Sequence, residues 1–173
     1  MEPTLIAFLL DMAIKFSGLP PIPVAELPPM EPVSRATMQE IVCPEASPGC
    51  GAIVALFDTE GQRILYLESL NMENSSDNSF LVHEIVHVLQ YRHRGEAIYA
   101  DCTALLQTEG QAYRVQNAYL RREGQFLRVG DVLRFTTCGT DKSIAARAPT
   151  GSELESRSRP SAIMAPQAVA PDI

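Results

Sequence analysis

The segment from Ser79 to Tyr91 is apolar at most positions, and its few polar residues fall on one stripe at helical spacing: His83, Glu84, His87 and Gln90. A helix that is apolar around nearly its whole circumference is a buried one, and a single polar stripe on it faces a cleft. Residues 74–78 are of the types that cap helix starts. We therefore expect a central helix that begins near Asp77.

A second helical pattern runs from Asp101 to Leu120. Its expected core-facing stripe contains Cys102, Leu105, Leu106, Ala112, Tyr113, Gln116 and Leu120. Glu109 lies on the same stripe, and a carboxylate directed into the interior needs a positive partner. A metal ion held by the first helix is one such partner. The alternative is a Glu109 at the margin of the stripe, or one paired with an arginine such as Arg114.

The remaining pattern predicts smaller elements around these two helices. Residues 1–15 indicate an amphipathic helix, 18–32 are proline-rich and favour an extended strap, and 34–42 predict a short helix. Residues 52–69 alternate in a way typical of a β-hairpin with a turn at 59–62. Residues 125–135 fit either a second hairpin or a short helix. We expect one domain over 1–138 and a disordered tail over 139–173.

The polar stripe of the first helix carries an HExxH motif, HEIVH, at residues 83–87. Histidines four residues apart project from one helix face ~6 Å apart, so both can bind one zinc ion. Glu84 stands beside them and can accept a proton from a metal-bound water. A catalytic zinc usually takes a third protein ligand. His93 has the spacing of a metzincin ligand, but a continuing helix carries it ~9 Å beyond His87 along the axis, so Glu109 is the better candidate.

The HEIVH motif, followed 22 residues later by EGQAY, resembles the gluzincin branch of the zincin metallopeptidases. The two helices also resemble those of a group of small uncharacterised bacterial HExxH proteins. The resemblance implies that His83, His87 and Glu109 bind the metal and that Glu84 is the general base. Several gluzincins have an Asp four residues after the glutamate ligand to orient a histidine, whereas this chain has Tyr113. Asp77, Asp101 or a backbone carbonyl would then orient the histidines.

The same resemblance implies a compact, zincin-like α+β domain with an active-site helix, a second ligand-bearing helix and a small β-hairpin or sheet on the cleft rim. Residues 64–67 would be the rim strand that pairs with an extended peptide. The alternative is that both strands of the hairpin are simple core strands. Candidates for stabilising an oxyanion are Tyr113, Tyr91, Tyr99 and the nearby arginines, and Tyr113 or Tyr91 could instead support the ligands.

Charge and composition limit the classes of binding partner that we expect. The net charge is −7, with no basic stripe, so we expect no nucleic acid partner. Arginines 92, 94 and 114 line one end of the cleft or lie on a solvated face. No apolar run is long enough to span a membrane, and residues 1–15 lack the basic start of a secretion signal.

The four cysteines allow a Cys43–Cys50 and a Cys102–Cys138 bridge. Paired cysteines indicate a periplasmic or secreted protein. Free buried thiols or a four-thiolate zinc site are the alternatives.

The sequence therefore predicts a zinc-dependent metallohydrolase, and most specifically a small peptidase acting on a peptide or protein substrate. Two hypotheses of other classes stay open. One is a zincin-fold binding or sensing module without hydrolytic activity, because a fold does not fix an activity. The other is a disulfide-stabilised interaction protein with no metal.

Overall fold

The computed structural model describes residues 1–42 and 52–138 as a mixed α+β fold. Four α-helices are present in this part of the chain: α1 (Pro3–Ser17), α2 (Arg35–Val42), α3 (Ser75–Arg94) and α4 (Cys102–Arg122). Three strands form one sheet: β1 (Met30–Val33), β2 (Ala55–Asp58) and β3 (Arg63–Leu67). Short 3-10 helices lie at Val24–Glu26, Gly95–Tyr99 and Asp131–Phe135.

Helix α3 is the centre of the molecule. It contacts α1 and α4 as well as β2 and β3, and every residue from Asn78 to Gln90 is buried. The Asn74 side chain caps its start by accepting from Ser76 N at 2.9 Å, and Gly95, with φ 57°, ends it. The predicted central helix is thus confirmed, although it begins two residues earlier than Asp77, because the cap is Asn74 rather than a later residue.

Helix α4 runs alongside α3 and begins at a second side-chain cap. The Asp101 carboxylate accepts from Ala104 N at 2.8 Å. Most of the predicted core stripe is buried, including Leu105, Ala112 and Gln116, but Cys102 is exposed and Leu106 only half-buried. Cys102 departs from the stripe because, as the first residue of the helix, it lies at the surface and pairs with Cys138.

The sheet has the order β1–β3–β2, with β1 parallel and β2 antiparallel to β3. The predicted hairpin is confirmed, with Asp58 accepting from the turn amides of Glu60 and Gly61. The expectation that residues 64–67 form a rim strand is wrong, because β3 is the central strand and both of its edges are paired. The proline-rich strap also ends in β1, which the sequence did not predict as a strand.

Residues 125–138 form a segment that returns across α4, and it contains the short 3-10 helix Asp131–Phe135 rather than a hairpin. Asn117 holds this C-terminal segment by donating to Val129 O at 2.9 Å and accepting from Val129 N at 3.0 Å. Gly130, with φ 80°, lies against the Tyr113 ring so closely that a Cβ would clash with it. The Cys102–Cys138 bridge closes the far end of the segment, which confirms that predicted pairing.

Two predictions concern residues outside the described part of the chain. They are the Cys43–Cys50 pairing and the disordered tail over 139–173. Among the described residues, no helix is both long enough and apolar enough to span a membrane.

We expect the double substitution Cys102→Ser, Cys138→Ser to lower the free energy of unfolding by about 3–4 kcal/mol. The bridge joins residues 36 positions apart, and cross-linking a loop of that length restricts the unfolded chain by roughly this amount. Chemical denaturation of both proteins, followed by circular dichroism, measures the difference. An unchanged unfolding midpoint would show that the bridge contributes nothing to stability.

Candidate metal centre

Two helices bring three potential metal ligands together inside the protein. His83 and His87 project from α3 one turn apart, and Glu109 projects from α4. Their exposed fractions are 0 %, 6 % and 1 %. The three residues offer ligand atoms that all lie within 4.8 Å of one another. The structure therefore assembles the ligand set that the sequence predicted, and it forms a candidate metal-binding site.

The distances within this cluster match those between the ligands of one ion. The two Nε2 atoms of His83 and His87 lie 3.1 Å apart. Each also lies near a Glu109 oxygen, at 3.3 Å for His83 and 3.2 Å for His87. In a tetrahedral site with bonds of ~2.0–2.1 Å, ligand atoms are ~3.3–3.4 Å apart. The cluster is thus close to the size that a small divalent cation requires.

A hydrogen-bond chain fixes the tautomer of His83. Ser79 Oγ donates to Ser76 O at 2.6 Å, so it is an acceptor for Gln116 Nε2 at 3.0 Å. The Gln116 amide oxygen therefore faces His83 Nδ1 at 3.0 Å. An amide oxygen only accepts, so His83 Nδ1 carries the hydrogen and its Nε2 presents a lone pair to the cluster.

A second chain fixes His87 in the same way. Gln90 Nε2 donates to the backbone oxygen of Thr108 at 3.0 Å and to Gln111 Oε1 at 3.0 Å. Its own oxygen then faces His87 Nδ1 at 2.8 Å. His87 Nδ1 is consequently the donor, and its Nε2 also points to the cluster.

These two chains direct two imidazole lone pairs and one carboxylate toward a single point. Such an arrangement is repulsive unless a cation lies between the groups. A proton on His87 Nε2 can serve Glu109 Oε1, but Glu109 Oε2 then remains buried without a hydrogen-bond partner. A metal ion would satisfy all three groups at once. The residues present therefore fit a metal, and the orphaned carboxylate oxygen is the observation that favours one.

The pKa shifts of the clustered side chains agree with a central positive charge. Burial acts to lower the pKa of His87, but the Glu109 carboxylate outweighs it and raises that pKa to about 9. Burial acts to raise the pKa of Glu109, but the His87 charge lowers it to about 2. At neutral pH the two groups form a buried ion pair, with the proton where a metal would bind.

Glu84 lies next to the ligands but is held by a different element. Its Oε2 accepts from the backbone N–H of Phe57 in β2 at 2.9 Å. Ile64, opposite Phe57, donates to Pro29 O on the other side of β3, so the Phe57 N–H lies on the free edge of the sheet. Burial raises the pKa of Glu84, while His83 and His87 partly oppose that rise. Glu84 is therefore a comparatively basic carboxylate beside the cluster.

The candidate tyrosines differ in their distance from the site. The Tyr113 ring packs edge-on against the His83 ring with centroids 4.5 Å apart. Burial raises the pKa of both Tyr113 and Tyr99, and the charges of Glu84 and Glu109 raise both further. The Tyr91 hydroxyl instead donates to Glu96 at 2.8 Å. Tyr113 and Tyr99 are thus near the carboxylates, whereas Tyr91 is engaged elsewhere.

Other expected roles are not seen in the structure. His93 lies exposed on the last turn of α3, outside the cluster, because the helix continues past it. Asp101 caps α4 and Asp77 accepts from Asn71 N, so neither orients a histidine. Among the described residues Glu109 forms no pair with Arg114, which is exposed.

The residues that orient the histidines are Gln90 and Gln116, and sequence reasoning did not assign them that role. Both lie on the polar or core-facing stripes of their helices, and both are fully buried. The available signal was a glutamine on a buried stripe of each helix. Gln90 follows the ligand His87 by three residues, and Gln116 lies on the facing helix. A buried amide must find partners, and here they are the two imidazoles.

One comparison places the chain in a family. Residues 17–140 match the family model described as a domain of unknown function, DUF6647. The chain belongs to the DUF6647 family. The match includes both ligand-bearing helices and begins at the end of α1. No curated protein and no solved structure matches the chain.

We expect divalent metal binding at pH 7 to release about one proton. His87, with a pKa near 9, is protonated at pH 7 and must lose that proton to bind a metal. Apparent Zn²⁺ affinity should rise about tenfold per pH unit from pH 7 to pH 9 and level off above it. Calorimetry in buffers of different ionisation enthalpy measures the proton count. A binding enthalpy independent of the buffer would contradict this assignment.

We expect Gln116→Leu to weaken Zn²⁺ binding by about 10- to 100-fold, as is typical when a ligand loses its orienting partner. The substitution frees the His83 ring to change tautomer. Competition with a chromophoric chelator measures the affinity. Gln107→Leu, at an exposed position of the same helix, is the matched control and should bind normally. Equal affinities for the two variants would remove the orienting role of Gln116.

Proposed function

We propose that this protein is a zinc-dependent metallohydrolase and, within that class, a small peptidase. The observation that carries the proposal is the buried cluster of His83, His87 and Glu109, with ligand atoms 3.1–3.3 Å apart and Glu84 beside it. Two imidazoles and one carboxylate are the donor set of a family of catalytic zinc sites. The resemblance of HEIVH and Glu109 to the gluzincins supports the same conclusion.

The donor types favour zinc over the commoner hard cations. Calcium and magnesium prefer a set of oxygen ligands and more coordination positions. Two nitrogen donors and a single carboxylate suit zinc, which leaves a fourth position for water. We therefore name His83, His87 and Glu109 as the residues that hold it. When bound, zinc would polarise a substrate carbonyl and lower the pKa of a water molecule.

The remaining chemistry belongs to residues of the chain. Glu84 is the proposed general base, and its raised pKa suits a group that accepts a proton and returns it. The Phe57 N–H occupies Oε2, so we assign proton transfer to Oε1. The same contact ties the base to the sheet and limits its rotation. Glu84 would take the proton of the attacking water and deliver it to the leaving amine.

Tyr113 and Tyr99 are the proposed donors to the oxyanion that forms on the carbonyl. Burial and the nearby carboxylates raise the pKa of each hydroxyl, so both stay protonated at neutral pH. A protonated hydroxyl can donate to developing negative charge. Tyr91, whose hydroxyl donates to Glu96, is the third candidate.

One observation favours a second candidate function, a metal-dependent binding or sensing module. The most exposed of His83, Glu84, His87 and Glu109 is His87, at only 6 %. Such an enclosed site would bind a metal that stabilises the two-helix core, and it would not admit a peptide. The identity of residue 84 separates the two functions, because only the hydrolase requires a base there.

We expect Glu84→Gln to abolish hydrolysis of a peptide library, by at least about 10²-fold, while zinc binding is retained. The amide keeps the size of the side chain but cannot accept the proton. Glu60→Gln, at an exposed turn position, is the matched control and should cleave normally. Mass spectrometry of the library, with and without a chelator, gives the rates. Zinc-loaded wild-type protein that cleaves nothing would favour the binding module.

Metal analysis of the purified protein tests whether the protein binds zinc. We expect about one equivalent of zinc after zinc-supplemented expression, and much less in Glu109→Gln, which loses one ligand charge. Zinc well below half an equivalent in the wild type would favour the third hypothesis, an interaction protein without metal.

A further inference from the structure

A recess of about 260 Å³ on the outer side of α4 is lined by three arginines and one asparagine: Arg114, Asn117, Arg121 and Arg128. None of the four belongs to the metal cluster. The concentration of like charge is unusual in a chain whose net charge is −7. The three arginines are exposed, and like charges placed around one open recess repel unless an anion lies between them.

The recess is built by the fold rather than by chance side-chain positions. Arg114, Asn117 and Arg121 follow one another at spacings of three and four residues, so they share one face of α4. Asn117 pairs through two hydrogen bonds with the backbone of Val129. That pairing places the backbone of the neighbouring Arg128 beside the same face, and the exposed Arg128 side chain lines the recess. Gly130, packed on Tyr113, keeps the segment close to the helix.

The three guanidinium groups differ in the ion pairs that they form with residues 1–42 and 52–138. Among the described residues, Arg114 and Arg121 form no ion pair with a carboxylate. Arg128 pairs with Asp131 at 3.1 Å, and Asp131 also lies 3.8 Å from Arg134. The recess therefore carries three positive charges with one negative charge at its margin. The balance of about two positive charges matches a dianion.

We propose that this recess is an anion site that takes a phosphate group, either free phosphate or a small phosphate monoester. A monoester carries a charge of about −1.5 to −2 at pH 7 and three acceptor oxygens. Guanidinium groups bind such oxygens in pairs through their planar donors. The volume, below that of a typical drug-sized pocket, suits a small ligand. This site is independent of the proposed hydrolase activity.

Calorimetry on the full-length protein at low ionic strength tests the proposal with inorganic phosphate, methyl phosphate and acetate as probes. We expect both phosphates to bind and acetate, with a single charge, to bind at least about fivefold more weakly. The tighter of the two phosphates identifies the free ion or the ester as the natural form. Absence of phosphate binding up to 10 mM, roughly the limit of a useful affinity, would overturn the site.

Single substitutions distinguish phosphate binding in the recess from general attraction between phosphate and the positive charges of the protein. Arg121→Gln and Arg114→Gln should each weaken phosphate binding by at least about fivefold. Arg92→Gln makes the same charge change at an exposed position of α3, away from the recess, and should bind normally. Asp131→Asn should tighten binding because it frees Arg128. Equal losses in Arg121→Gln and Arg92→Gln, or no gain in Asp131→Asn, would contradict the proposal.

Discussion

The convergence of two imidazole nitrogens and one carboxylate on a single buried point is the constraint on which the rest of the structure depends. These atoms lie 3.1–3.3 Å apart, so they are stable in a core only with a cation between them, either the proton of His87 or a metal ion. The packing of α3 against α4 and the depth of α3 in the core both bring these groups together. Without the cation, one helix pair would bury an electrostatic conflict at its centre.

The surrounding polar groups hold the two imidazoles in the orientation that brings their Nε2 atoms together. Each imidazole donates outward to a glutamine, and each glutamine is in turn held by groups on neighbouring turns and helices. Neither ring can rotate or change tautomer without breaking a buried hydrogen bond, which is costly. The sheet contributes by binding Glu84 at its free edge. Helices and sheet therefore fix one orientation of the site together.

The two helices and the three ligands could be predicted because each rests on a local pattern. HEIVH has helical spacing, and Glu109 was the one carboxylate on an otherwise core-facing stripe. The orienting glutamines were harder, because an amide on a buried stripe does not reveal its partner before the helices are docked. Strand β1 was missed because proline-rich residues rarely pair in a sheet, although an edge strand tolerates them. The rim position expected for residues 64–67 was wrong for a related reason: once β1 adds to the hairpin, β3 becomes the inner strand.

Tyr113 has a position that joins two parts of the molecule. One side of its ring lies on His83, and Gly130 packs closely against the ring. The segment that carries Gly130 is anchored by Asn117 and tethered by a cystine. A displacement of this surface segment would therefore reach a buried imidazole through one rigid aromatic ring. The Tyr113 ring thus connects a surface segment of the protein to a fully buried imidazole.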